Sequence, residues 1–425
     1  MNFLLDVAYF FYLIVYLPVL VIKGKWHAGF PSRFGLWDGR QAARVGGENN
    51  VWVHAVSVGE VRVIEGVIAR IRQDFPRCRV VLSTVTSTGY NLAKQIFSGQ
   101  DNIEIIFAPV DFSGVAAKYM RWINPRLYIA AETEIWPNLY MAAKKRNIPI
   151  LMINGRISDR SYKKYKLADW LLRKTLPLVD LFCMQSALDR DRIISLGARP
   201  DAVKVIGNIK FDKEFHPGSF SREALHIEKG ARVWIAASTH PGEEAIVLDV
   251  YKSLYEDYHD LRLIIAPRHA ERAEEVCSLA ESRGFGASRL SAKAGEKGRG
   301  TEVIVVDTIG DLPSLFNVSD IVFMGKSLVP GGGQNMIEPA LLAKPIIVGP
   351  HTENFKDVMR AFLKDQAILE VKDAKQLRDR IEMLLNDPEK CREIGEAALS
   401  VCRQNRGATE ETFAELKRYL KAVFP

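Results

Sequence analysis

Gly331-Gly332-Gly333-Gln334-Asn335-Met336-Ile337-Glu338-Pro339 is the stretch on which the reading of this chain turns. Consecutive glycines let the backbone take conformations closed to other residues and approach a ligand closely. The asparagine after them stands where a helix would start, and a helix start offers unpaired N–H groups to an anion. A glutamate three positions further on, one turn into that helix, can accept hydrogen bonds from a ribose diol. The combination suggests a nucleotide-sugar site in the second half of an α/β protein; the plainer reading is a capped loop–helix junction.

Working outward, short apolar runs alternate with amphipathic helical patterns, which signals parallel sheets. Candidate strands in the first half are 51–57, 79–84, 103–107, 126–131, 149–153 and 180–184, with helices at 60–74, 88–97, 136–146 and 186–196. The periodicity fades between Phe215 and Gly230, which reads as a linker. A second series of strands follows near 232–238, 261–266, 302–306, 320–324 and 345–348, and 373–423 reads as helical. A chain of 425 residues exceeds one ordinary core, so two domains are expected. The boundaries read as a membrane anchor over 1–25, a Rossmann-like domain over 26–214, the linker over 215–230, and a second Rossmann-like domain over 231–425. The last helix is a candidate to pack back on the first domain. Ligands of open α/β sheets sit beyond the carboxyl ends of the strands, so the expected architecture is two such domains facing a cleft.

Residues 3–22 are almost wholly apolar, interrupted by Asp6 and Pro18, and no small-residue cleavage site follows. Their length is near the roughly 20 residues that cross a bilayer. Lys23, Lys25, Arg33, Arg40 and Arg44 come next, an excess that keeps the bulk of the chain on the cytoplasmic side. A membrane anchor is expected, either crossing the bilayer or lying in its interface.

The net charge of +7 and pI near 9.0 suit an anionic membrane, acidic small molecules or nucleic acid. Basic residues are dispersed and no nucleic-acid module accompanies them, which makes nucleic acid the weakest of the three. Five cysteines are scattered without C-x-x-C pairing, against a zinc site or a disulfide framework. No P-loop, no G-x-S-x-G and no H-x-x-x-H is present, so a phosphate-binding P-loop, a serine hydrolase and a metal site lack support.

Residues with chemistry fall where strands end. Glu60, after strand 51–57, stands at the positive end of a helix dipole, as a general base or as a helix-start residue. Residues Ser83 to Gly89 follow the next strand, with capping the simpler role for their hydroxyls. Glu132 and Glu134 follow a third strand; alternation would send both to one side, where each needs a cation or donor. Lys210 is the candidate cation, or else a solvated surface lysine. In the second half, Ser238-Thr239-His240, Arg268-His269 and Thr308-Ile309-Gly310-Asp311 each follow a strand. Arg268 can grip a phosphate with two hydrogen bonds.

Read together, six motifs resemble the bacterial 3-deoxy-D-manno-octulosonic acid (Kdo) transferases. They are Trp52 to Glu60 (WVHAVSVGE), Glu132 to Asn138 (ETEIWPN), Gly207 to Asp212 (GNIKFD), Ala236 to His240 (AASTH), Pro267-Arg268-His269, and Gly332 to Pro339. The likeness extends to the N-terminal segment and to Phe30–Gly35 after it. It implies a glycosyltransferase B-type fold, CMP-Kdo as donor, and the lipid A precursor as acceptor in lipopolysaccharide core biosynthesis. It implies an inverting transfer without metal or other cofactor, at the cytoplasmic face of the inner membrane. By the same resemblance Glu60 matches the general base, and Glu132 and Lys210 match residues that support the transition state. Arg268, His269, Ile309, Gly310, Asp311, Asn335, Met336, Ile337 and Glu338 match the positions that hold CMP. Gln334 stands where many relatives carry histidine; both side chains donate a hydrogen bond. Competing readings are a glycosyltransferase or epimerase of the same fold using a UDP-sugar, and a non-catalytic membrane scaffold.

Overall fold

The computed structural model describes residues 5–7, 9–11, 29–37, 39–212, 220–292 and 301–424. The chain forms two units, Met1–Asp212 with Arg406–Pro425, and Lys213–Asn405.

The first unit is built on a sheet of seven parallel strands: β1 (Asn50–His54), β2 (Arg79–Thr84), β3 (Ile103–Phe107), β4 (Pro125–Ala131), β5 (Ile150–Gly155), β6 (Leu181–Met184) and β7 (Val203–Val205). Their order across the sheet is β3-β2-β1-β4-β5-β6-β7. The strand order reverses between β1 and β4, which makes their carboxyl ends the place for a ligand. Helices cover both faces, so the central strands are buried throughout; all of β1 and β5 lies inside. That two-sided burial is why these strands read as near-continuous Val/Ile/Leu runs. Thr86 Oγ1 accepts the Gly89 N–H and starts the Ser87–Ile96 helix, the capping role expected of that hydroxyl-rich loop. Ser83 is instead buried, bonded to Trp52 and His54.

The second unit carries β8 (Arg232–Thr239), β9 (Leu261–Pro267), β10 (Ala287–Arg289), β11 (Val303–Val305), β12 (Ile321–Met324), β13 (Ile346–Val348) and β14 (Leu369–Glu370). They are parallel, in the order β10-β11-β9-β8-β12-β13-β14, and here the order reverses between β8 and β12.

Two expectations need amending, on a strand end and on the linker. Strand 51–57 stops at His54, leaving Val56 and Ser57 in a loop. The stretch expected as a linker is anchored from its described half onward: Arg222 donates to Val318 O and Ala231 O and pairs with Asp320 at 2.7 Å, all in the second unit. The helical C-terminus comprises Ala374–Asn386, Pro388–Gln404 and Ala408–Val423, and the last of these belongs to the first unit. It buries Phe413, Leu416 and Leu420 in the core beneath the Val58–Asp74 helix.

Of the expected anchor over residues 3–22, residues 5–7 and 9–11 are described and helical; residues 12–28 lie outside the described residues. Asp6 accepts the Ser113 N–H at 2.8 Å, the Ser113 hydroxyl, and the Asn138 amide at 3.1 Å. It thereby caps the Ser113–Ile123 helix, whose own N-cap, Phe112, has no side chain able to do so. Tyr9 donates to Asp111, which accepts from the Asn138 and Leu139 N–H groups. Among the described residues no helix is long and apolar enough to cross a membrane.

Candidate active site

The Val58–Asp74 helix starts directly after the β1 loop and carries Glu60 in its first turn. Ser57 occupies the N-cap without using its side chain as a cap. Instead, the Glu60 carboxylate reaches back, taking the Val56 N–H at 2.6 Å and the Ser57 hydroxyl at 3.0 Å. Two such bonds would ordinarily lower a carboxyl pKa. Burial outweighs them, and the charges of Glu134 and Glu132 add to it, so Glu60 is pushed up to about 8. The residue therefore fills the helix-start role and is also tuned near neutrality, where a proton acceptor works best.

Glu132 and Glu134 follow β4, the neighbour of β1 across the reversal point. The alternation argument for this pair fails, because the strand ends at Ala131 and Glu132 takes a left-handed backbone at φ 55. Its N–H still bonds to Ile153 O, so the residue hangs from the β4/β5 ladder while its side chain is redirected. Glu134 accepts the Trp136 indole N–H at 3.0 Å. Burial raises its carboxyl to about 7, and the Glu132 charge adds to that rise.

Lys210 enters from the short turn Ile209–Asp212 beyond β7. Asn154, at the end of β5 and also left-handed at φ 54, pins this turn by accepting the Ile209 N–H at 3.1 Å. The Lys210 ammonium stands 3.3 Å from Glu132. Glu60, Glu132 and Lys210 are thus gathered at the carboxyl ends of β1, β4 and β5. Lys210 faces Glu132, and burial raises the other two carboxyl groups, Glu60 and Glu134.

In the second unit the loops after β11, β9, β8 and β12 leave the same edge of the sheet, since every strand is parallel. Arg268 is exposed after β9, and its N–H bonds to Thr239 O at the end of β8. The His269 and His240 rings lie 6.1 Å apart. Gly310 adopts φ 102, and beside it Ile309 is 95% exposed; Asp311 opens the Leu312–Val318 helix. Gly332 and Gly333, at φ 93 and 77, use the freedom expected of them. A Cβ on Gly332 would strike the Asn354 side chain at 2.3 Å. Asn335 Oδ1 accepts the Ile337 N–H, and its amide donates to Glu338 at 3.3 Å. Met336 and Ile337, also expected at the donor site, have buried side chains. The helix beyond is short, Ile337–Leu341.

Two residues at this edge, Glu243 and Lys326, were not singled out from sequence. The buried Glu243 carboxylate accepts four backbone N–H groups, from His240, Lys326, Ser327 and Leu328, at 2.6–2.9 Å. It locks the β8 and β12 loops together across the reversal point, where Ser238 and Lys326 both take left-handed backbones at φ 56 and 58. His240, already a candidate from sequence, has its Nε2 buried without a partner among the described residues, as has Thr308 its Oγ1. Burial and the nearby Lys326 lower the His240 pKa. The only sequence signal was a carboxylate pair, Glu243-Glu244, just inside a helix start.

The fold agrees with likeness to known proteins. The model of the 3-deoxy-D-manno-octulosonic-acid transferase (kdotransferase) family matches residues 28–213, and that of the glycosyl transferases group 1 matches 245–401. The chain is 31% identical to the 3-deoxy-D-manno-octulosonic acid transferase of Haemophilus influenzae over 414 residues, 96% of each chain. It is likewise 31% identical to the enzyme of that name from Bordetella pertussis, over 93% of each chain. The structure of UDP-GlcNAc 2-epimerase from Neisseria meningitidis bound to UDP-GlcNAc matches with a TM-score of 0.59, covering 87% of this chain and 100% of that one. At 14% identity that likeness bears on fold alone, a pair of Rossmann-like domains of the glycosyltransferase B type. The chain is a glycosyltransferase and belongs to the 3-deoxy-D-manno-octulosonic acid transferase family.

Proposed function

We propose that this Kdo transferase of lipopolysaccharide biosynthesis takes its sugar from CMP-Kdo, passes it to the lipid A precursor, and uses Glu60 as its general base. The observation that carries the reading is the Glu60 carboxyl, buried beside Glu132 and Glu134 and pushed up to about 8. The acceptor hydroxyl gives its proton to Glu60 as its oxygen bonds to the anomeric carbon. On the opposite side the bond from that carbon to the phosphate oxygen breaks, and CMP departs with the electron pair. One base and one leaving group, with no nucleophilic carboxylate, invert the anomeric centre. Lys210, held by Glu132, supplies positive charge near the Kdo carboxylate as the leaving group departs.

For the donor, Arg268 would hold the phosphate by two hydrogen bonds and Glu338 the ribose diol, with Asn335 setting the Glu338 rotamer. Backbone groups of Ile309, Gly310 and Asp311 would meet the base. The unpartnered His240 Nε2 supports placing a polar ligand at this edge.

The N-terminal segment would lie in the membrane interface on the cytoplasmic side, rather than starting on the far side of the bilayer. Asp6 and Tyr9 are bonded to the same unit that holds Glu60, while Phe10 and Phe11 are 57% and 63% exposed beside them. Exposed aromatic rings beside a docked segment suit an interface better than water.

The test is a product assay with the purified protein, lipid A precursor, and either CMP-Kdo or a UDP-sugar. Release of CMP with matching growth in acceptor mass supports the reading. Turnover of the UDP-sugar alone contradicts it.

A further inference from the structure

The chain leaves the first unit after Asp212 and returns to it at Arg406. The Asp212 carboxylate joins these two distant points. One oxygen accepts the Gly407 N–H at 2.6 Å, and the other accepts the Thr409 N–H. The Ala408–Val423 helix has glycine at its N-cap, at φ 106 and with no side-chain cap of its own. Asp212 supplies what is missing: a negative charge and two acceptors at the positive end of the helix dipole. The same residue closes the Ile209–Asp212 turn that presents Lys210.

This helix also lies along the helix that carries Glu60. Arg70 pairs with Glu410 at 2.9 Å, Lys417 with Asp74 at 2.5 Å, and the Arg70 guanidinium sits 5.3 Å from the Phe413 ring centre. A Cβ on Gly66 would touch the Thr409 methyl at 3.5 Å. One helix therefore sets both the Lys210 turn and the Glu60 helix, and Asp212 is where it grips the turn.

We propose that Asp212 is a positioning residue of the transfer, holding Lys210 beside Glu132 by pinning the start of the returning C-terminal helix. The inference rests on Lys210 being the active-site cation. A cap serving stability alone would shift the melting temperature and leave turnover untouched, so the rate separates the two roles.

The experiment uses the full-length enzyme with CMP-Kdo and lipid acceptor, measuring kcat, CMP affinity and melting temperature. Asp212→Ala is expected to lower kcat at least tenfold while CMP affinity stays within about twofold. In a Lys210→Ala background the same substitution is expected to cause no further loss, because Asp212 acts through that lysine. Asp212→Asn removes the charge at the helix start while keeping a similar shape, and it carries the same test if Asp212→Ala does not fold. An unchanged kcat in these variants overturns the inference. So does a loss that multiplies with that of Lys210→Ala. Full turnover by Lys210→Ala alone removes the lysine assignment and the inference with it.

Discussion

The Lys210 ammonium lies 3.3 Å from a carboxylate oxygen of Glu132, on a residue whose backbone is left-handed at φ 55. Only about a quarter of each side chain is exposed (28% and 25%), so desolvation offsets much of the attraction and the ion pair is weak evidence for stability. A left-handed non-glycine backbone costs of order 1–3 kcal/mol. Stability therefore does not account for the arrangement. Its effect is on charge: the ammonium faces the Glu132 carboxylate, while burial, with the charges of Glu134 and Glu132 adding to it, pushes Glu60 up to about 8.

Activity should depend on pH through Glu60. The base must be ionised to take the acceptor proton, so kcat/KM should rise with pH and level off above about 8, where Glu60 titrates. Glu134→Gln removes a neighbouring negative charge and should move that limb to lower pH. A pH–rate profile checks both; a flat profile between about 6 and 9 contradicts the first.

The same shift makes a stability prediction of opposite sense. A carboxyl whose folded pKa is raised binds its proton more tightly when folded, so it stabilises at low pH. That contribution is lost as pH climbs from the ordinary carboxylate value of 4.5 to about 8. Melting temperatures of wild type should fall over that window more than those of Glu60→Gln, which cannot ionise.

Glu243 should matter to donor binding without touching the donor. Glu243→Gln sets an amide NH2 against N–H donors and leaves buried groups unpaired, for a loss of about 1–3 kcal/mol in urea unfolding. Because the β8 and β12 loops lose their common anchor, CMP affinity should drop at least tenfold by calorimetry.

Arg268 should be needed for its shape as well as its charge. Arg268→Lys keeps the charge but loses the two-pronged grip, and a tenfold rise in KM for the donor, about 1.4 kcal/mol, is expected. Titrating donor against both forms at fixed acceptor measures it.

Membrane attachment should reside in the exposed rings. Replacing both Phe10 and Phe11 by serine should lower co-sedimentation with anionic vesicles, while turnover on detergent-dispersed acceptor persists. Asp6→Ala should lower the melting temperature by uncapping the Ser113–Ile123 helix, an effect of about 1 kcal/mol.

Much of this molecule was legible as sequence for a physical reason: parallel strands buried on both faces must be apolar runs, and the loops after them must carry the chemistry. Glu60 and Glu132 stood out that way, whereas Lys210 was put forward only as a cation to answer the glutamates. The short edge strands β7, β10 and β14 did not, because Val-Lys-Val, Ala-Ser-Arg and Leu-Glu carry too little apolar signal. Glu243 was hidden because a glutamate in a first helical turn reads as a partner for the dipole, and nothing local reveals the four N–H groups it gathers. The bond from Asp212 to Gly407 spans most of the second unit in sequence, beyond the reach of any pattern. At Glu132 alternation misled, since the backbone leaves the strand one residue earlier.

The central claim meets its most direct test in a side-by-side assay of wild type and Glu60→Gln with CMP-Kdo and lipid A precursor. Wild type should release CMP in step with the mass gained by the acceptor, and Glu60→Gln should bind CMP normally while transferring about 10²- to 10⁴-fold more slowly. Transfer by Glu60→Gln at the wild-type rate would contradict the account.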